Sequence, residues 1–124
     1  MRRKIGILIL LLTFLASANA FASETAEEIL NKGIEYAKKG NYDQAISNFT
    51  KAVKLNPKLT EAYYNRGNAY YGKGSYDQAI VDYTEAIKLN PNVAQSYTNR
   101  GGAYIHKGDY DGAILDCTRA IKLK

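Results

Sequence analysis

The chain has no tryptophan, one cysteine, one histidine and two prolines in 124 residues, and each scarcity excludes something. With Cys117 alone there is no disulfide within the chain, and with no cysteine near the amino terminus there is no lipid anchor attached through one. One thiol and the imidazole of His106 cannot complete a metal site. Nor do they supply the convergent polar groups that acid–base catalysis needs. A glycine-rich phosphate loop is missing too, because Gly101 and Gly102 lie inside a helical pattern. These absences predict a protein that is not an enzyme and takes no cofactor. An unpaired cysteine behaves as a small hydrophobe, so burial of Cys117 is expected in preference to an intermolecular bridge.

Long apolar runs are also scarce. Arg2, Arg3 and Lys4 precede the apolar stretch Ile5–Phe14, and Ala18-Asn19-Ala20 then offers small residues around a cut. That order is the layout of a secretory signal peptide over 1–20, cleaved after Ala20, with Ala22 as the second choice. The rival reading is a retained anchor, but the stretch is short for a ~20-residue span, and polar Ser17 and Asn19 follow it closely. The expected location is therefore an exported one, periplasmic or secreted, with no membrane contact beyond the signal. Losing Arg2, Arg3 and Lys4 lowers the formal charge from +5 to +2. The remaining Lys and Arg alternate with Asp and Glu, so there is no clustered basic footprint for nucleic acid.

What the chain has in quantity is tyrosine, eleven in all, and repetition. The stretch Thr60–Val93 is echoed on both sides at a distance of 34 residues. Gly67, Tyr70, Gly74, Tyr76, Asp77, Ala79, Ile80, Thr84 and Ala86 fall on Gly33, Tyr36, Gly40, Tyr42, Asp43, Ala45, Ile46, Thr50 and Ala52. Moving the other way they fall on Gly101, Tyr104, Gly108, Tyr110, Asp111, Ala113, Ile114, Thr118 and Ala120. A register kept at so many places without insertion is one structural unit used three times.

Each unit reads as two short helices. The first are expected over Ala26–Lys39, Thr60–Lys73 and Ala94–Lys107, the second over Tyr42–Leu55, Tyr76–Leu89 and Tyr110–Leu123, with Phe21–Thr25 a frayed lead-in. Tyr63, Gly67 and Tyr70 recur at the spacing of one helix face, as do Ala79, Ile80, Tyr83, Ala86 and Ile87. Gly40, Gly74 and Gly108 suit the left-handed conformation that stops a helix. Ser75 with Gln78 makes a capping box, which Gly112 lacks in the third unit. Pro57 and Pro91 end the second helices, since proline cannot continue one. Gly67 and Ala79 allow two helices to approach closely, with Tyr70 and Tyr83 filling the space beside them.

The pattern Gly33…Tyr36…Ala45…Phe49…Ala52…Pro57, returning as Gly67…Tyr70…Ala79…Tyr83…Ala86…Pro91, resembles the tetratricopeptide repeat. The resemblance runs from about Ala26 to Lys124 and implies an all-α fold, a right-handed α-solenoid with units at 26–59, 60–93 and 94–124. There are departures. Cys117 stands at an aromatic position, Ile29, Tyr63 and Tyr97 stand where tryptophan is frequent, and Lys32, Arg66 and Arg100 stand at a usual leucine. The third unit shows neither an Asn-Pro turn nor a polar capping helix.

Comparison among the units separates scaffold from site. Glycine and tyrosine repeat on one face of the first helices, whereas Leu30, Tyr64 and Thr98 differ, as do Ile34, Asn68 and Gly102, then Ala37, Tyr71 and Ile105. Asn31, Asn65 and Asn99 recur as a ladder of amides, each able to donate and accept. In similar proteins the first helices line a concave groove that holds peptides, and an asparagine at this place touches ligand backbone. The resemblance thus implies an inner wall of Asn31, Asn65, Asn99, Tyr64, Asn68 and Tyr71, flanked by Leu30, Ile34 and Ile105. The bland alternative is that the asparagines bond within the scaffold or face water. Some family members clamp chaperone carboxylates with lysines and an arginine. The matching places here hold Leu30, Ile34, Gln95 and Asn99, with only Asn65 fitting, so that ligand is not expected.

The expected function is a non-catalytic module binding a peptide or partner-protein segment. Tyr36, Tyr70, Tyr104, Tyr42, Tyr76, Tyr110 and Tyr83 follow the repeat and are expected to be structural, while Tyr64 and Tyr71 break it and suit contact. The alternative is self-association into a homodimer through Ile114, Cys117 and Ile121 on the last helix.

Overall fold

The computed structural model describes residues 23–124, so the expected signal peptide lies outside the described residues. Six α-helices follow in order: α1 Ala26–Lys38, α2 Tyr42–Leu55, α3 Thr60–Gly72, α4 Tyr76–Leu89, α5 Ala94–Lys107 and α6 Tyr110–Lys122. Among the described residues there is no strand. Each end falls within one residue of the position read from periodicity and breakers.

The turns show why. Gly40, Gly74 and Gly108 hold φ of 76°, 78° and 79°, the left-handed region that a side chain disfavours. The next residue then turns its N–H back on the closing helix, as Ser75 N–H does to the Tyr70 carbonyl at 2.9 Å. That geometry overturns the capping box expected at Ser75, whose side chain makes no cap bond. Ser75 closes α3 and opens α4 at once, and its ψ of 68° turns the short hydroxyl away from the extended geometry a cap requires. Asp109 sits at a similar ψ of 78°, but its longer carboxylate reaches the Gly112 N–H at 3.0 Å. The glycine therefore permits a cap in the unit that lacks the box residue, since a Cβ at Gly112 would meet Asp109 Oδ2 at 2.8 Å.

The frayed lead-in is likewise corrected at its last residue. Thr25 Oγ1 accepts the Glu28 N–H at 3.2 Å and Glu28 returns a carboxylate to the Thr25 N–H at 3.4 Å, a reciprocal box. Thr25→Ala is expected to cost about 1 kcal/mol and to speed amide exchange in the first turn of α1 alone. Unchanged exchange there would show the box to be idle.

Within each pair, glycine meets an aromatic ring. A Cβ on Gly33 would lie 2.5 Å from Phe49 Cε1, and one on Gly67 would lie 2.7 Å from Tyr83 Cε1. Phe49 and Tyr83 are fully buried, held beneath α3 and α5 of the following pairs. Cys117 occupies the equivalent place on α6, where no described helix follows, and it is exposed. This overturns the expected burial of the thiol. Tyr110 and Tyr36 are likewise exposed, at the two ends of the stack, and only the inner repeating tyrosines are built into it.

Successive pairs are joined by a clamp at the positions where leucine is usual. Arg66 on α3 donates through Nε and Nη2 to Asp82 on α4 at 2.8 and 2.7 Å, and through Nη1 to Thr50 on α2 at 3.1 Å. Arg100 repeats this with Asp116 at 2.8 and 2.7 Å and with Thr84 at 3.0 Å. The hydrogen bonds to Asp82 raise the Arg66 pKa above its ordinary value. Burial pushes the Asp82 carboxyl up, and the guanidinium bonds pull it back part of the way. Two short, parallel bonds keep such a pair ionised. The first pair lacks the clamp, having Lys32 and Asn48 in those places.

α1 touches α3 and α3 touches α5, whereas α2, α4 and α6 do not touch one another. The first helices are thus drawn together on an inner side and the second helices splay on the outside. The molecule is an all-α solenoid with a shared inward curve.

Candidate binding groove

On that inner side lies an open hollow of about 510 Å³ between the second and third pairs, reached by Tyr42 from the first. Its walls are Asn68, Tyr71, Thr98 and Asn99, with the edge of Tyr83 between them. Gly72 and Gly102 also line it, without side chains to narrow it. The Tyr42 ring lies over Gly72 so closely that a Cβ there would sit 2.6 Å from Cζ. One pair further on, Tyr76 stacks flat on His106 with centroids 4.4 Å apart, and Tyr71 meets both rings edge-on at 5.3 and 5.5 Å.

A hydrogen-bond network joins the wall residues. Buried Tyr83 donates its hydroxyl to Asn68 Oδ1 at 2.7 Å, and burial pushes the phenol pKa up, so it stays a donor. Asn99 Nδ2 donates to the same oxygen and to the Tyr64 hydroxyl, both at 3.0 Å, and Asn99 Oδ1 accepts from Gln95 at 3.0 Å. The Asn68 amide nitrogen and the Tyr71 hydroxyl make no bond among the described residues and are left to face the hollow. No charged side chain lines it.

Asn68, Tyr71 and Asn99 therefore come together, with Tyr64 supporting them from behind. Other expected wall residues do not join. Leu30 is a correction, being 3% exposed: where α1 touches α3 a leucine is drawn into the first core, and Ile34 packs half-buried against the same cluster. Asn31 stands apart on α1, in a shallow depression with Glu28, Lys32 and Tyr36. Asn65 donates to the Glu61 carbonyl of its own helix at 2.9 Å. The three amides thus differ in their partners. Ile105 is exposed but lies outside the hollow. Tyr42, Tyr83, Gly72, Thr98 and Gly102 were not selected from the sequence. Variation among the units marks Gly72, Thr98 and Gly102, whereas nothing sequential separates the groove edge of Tyr83 from its buried ring.

No helix among the described residues is long and apolar enough to cross a membrane. No curated protein matches the chain. Among solved structures, the first tetratricopeptide domain of Spaghetti (RPAP3), bound to the HSP90 peptide SRMEEVD, is 30% identical with TM-score 0.79, over 81% of this chain and 79% of that one. The second such domain of the same protein, with the same peptide, is 26% identical with TM-score 0.79, over 82% and 94%. A crystal structure of MamA is 29% identical with TM-score 0.78, over 80% of this chain and 58% of that one. The tetratricopeptide repeat model matches residues 60–93 and 94–124, and a second TPR repeat model matches 33–74. The helix pairs, the glycine–aromatic contacts within them and these matches together make the chain a member of the tetratricopeptide repeat family.

Proposed function

We propose that this protein is a non-catalytic interaction module that holds an uncharged, extended peptide segment in the hollow between α3 and α5. The observation that carries the reading is the pairing of two free polar groups, on Asn68 and Tyr71, with a lining that holds no charge. A peptide backbone offers the acceptors and donors that these groups lack, while an unpaired charge buried there would be costly. Tyrosine adds ring area with a hydroxyl at its rim, a chemistry enriched at interfaces. Peptide binding by two structural neighbours supports the general role. Their acidic ligand does not suit this neutral wall. In our reading the module works in an exported compartment, and a mature chain whose mass begins at Phe21 or Ser23 checks that.

Thr98 is exposed on the wall of the hollow and absent from the core, so Thr98→Trp fills the space without disturbing the fold. Peptides selected by display on the purified protein are expected to lose about tenfold in affinity on this variant, or about 1.4 kcal/mol. The unfolding midpoint should not move. Peptides that bind both proteins equally would place recognition elsewhere.

A second reading, self-association through the third pair, is favoured by one observation. Ile114, Leu115 and Ile121 are 63%, 72% and 71% exposed on α6, with Cys117 beside them. Apolar strips of this kind mark contact surfaces. A dimer in light scattering that dissociates on Ile114→Asp would support it, and a monomer at high concentration removes it.

A further inference from the structure

The hollow is walled by the inner helices of the stack, α2 to α5, and its hydrogen-bonding groups are unevenly used. Asn68 Oδ1 takes the Tyr83 hydroxyl at 2.7 Å and an Asn99 N–H at 3.0 Å, which occupies both lone pairs of that oxygen. Asn99 gives its two N–H groups to Asn68 and Tyr64, and turns its oxygen to Gln95, which does not line the hollow. Thr98 places its hydroxyl hydrogen on the Ala94 carbonyl at 3.2 Å and keeps only an accepting role. The groups left for a ligand are the Asn68 NH2, which can only donate, and the Tyr71 hydroxyl. The wall is therefore rich in donors and short of acceptors.

An ordinary peptide brings one N–H for every carbonyl. Along this wall its carbonyls would find Asn68 and Tyr71, while N–H groups turned inward would meet little besides Thr98. A buried N–H without a partner is costly. Proline removes that donor and keeps the carbonyl. A proline-rich segment also holds the polyproline II form without internal hydrogen bonds, so its carbonyls stand outward and little ordering is needed on binding.

The rings of the hollow suit the same ligand. Tyr42 lies over Gly72, and Tyr71 lies over Gly102, where an added Cβ would sit 3.4 Å from the Tyr71 hydroxyl oxygen. Tyr71 is held edge-on by Tyr76 and His106, so its ring keeps one orientation. Both tyrosines are half-buried and line the hollow, which leaves part of each ring open to it. Aromatic walls of this kind receive proline rings.

We propose that the segment held between α3 and α5 is proline-rich and lies as a polyproline II helix. Its carbonyls accept from Asn68 and Tyr71, and its rings pack on Tyr42 and Tyr71. The inference rests on the reading of the hollow as a peptide groove and narrows it to one class of peptide.

The probe is hexaproline with blocked ends, titrated into the full protein beside a blocked glycine–serine peptide of the same length, and followed by amide shifts. Saturable shifts of the Asn68 side-chain amide, Tyr71 and Gly102 are expected, with the glycine–serine peptide about tenfold weaker. Asn68→Asp keeps the oxygen that Tyr83 and Asn99 use but replaces the free donor with an acceptor, and should cost hexaproline about tenfold. Tyr71→Phe keeps the ring, removes the hydroxyl and should cost about fivefold, which preserves the test if the first variant shifts the unfolding midpoint. No binding of hexaproline, equal binding of the two peptides, or indifference to both substitutions overturns the inference. Display-selected peptides that lack proline yet weaken on Thr98→Trp overturn it and leave the groove reading standing. Peptides indifferent to Thr98→Trp remove both.

Discussion

Arg66→Met is expected to lower the free energy of unfolding by about 3 kcal/mol, at the lower end of what removing one partner of a buried ion pair costs. Asp82 is 2% exposed and receives both of its strong hydrogen bonds from Arg66. Methionine fills similar volume but leaves the carboxylate buried without a counter-charge, and Thr50 loses its donor as well. The double variant Arg66→Met/Asp82→Leu should recover most of the loss, because removing the buried charge together with its partner also removes the desolvation penalty. Denaturant melts of wild type, single and double variants measure the cycle. Should the double variant be no more stable than the single one, the ion pair would be contributing more than it costs to bury. The first helix pair is a precedent for doing without it: Asn48 turns its amide to the Gln44 carbonyl at 2.8 Å, and the pair still closes.

The second large effect sets two equivalent glycines against each other. Gly67→Ala forces a methyl to within 2.7 Å of the Tyr83 ring, which is fully buried and cannot retreat. Overpacking of this kind costs about 1–3 kcal/mol. Gly101→Ala places its methyl 3.3 Å from Cys117 Sγ, on a side chain that is exposed and free to give way. There the gain in helix propensity, up to about 1 kcal/mol, should win. The two substitutions are thus expected to have opposite signs in thermal melts. Destabilisation of the same size at both sites would mean that the third pair is as tightly filled as the second.

Much of this protein is legible from one chain of letters because its information is local and said three times. The helix ends follow from Gly40, Gly74, Gly108, Pro57 and Pro91, whose backbone constraints act within a few residues. The inner face of the first helices is legible for the same reason, since comparison of equivalent positions singles out Asn68 and Tyr71. The hydrogen bonds of the asparagine ladder are not legible in this way. The shared register places Asn31, Asn65 and Asn99 alike on their helices, yet Asn65 donates to a carbonyl of its own helix and Asn99 to Tyr64 and Asn68 of the preceding pair. The Asn99 bonds depend on neighbours from another pair, which periodicity does not specify.

Residue order alone determined the class of fold, the pairing of helices and the neutral character of the inner wall, because backbone preference and composition need no knowledge of distant contacts. Tertiary structure alone decided that Leu30 is core, that Cys117 is exposed and that Arg66 and Arg100 join pairs rather than solvate edges. Those outcomes turn on whether another helix pair lies above a given face, and equivalent residues meet different fates at the ends and in the middle of a stack.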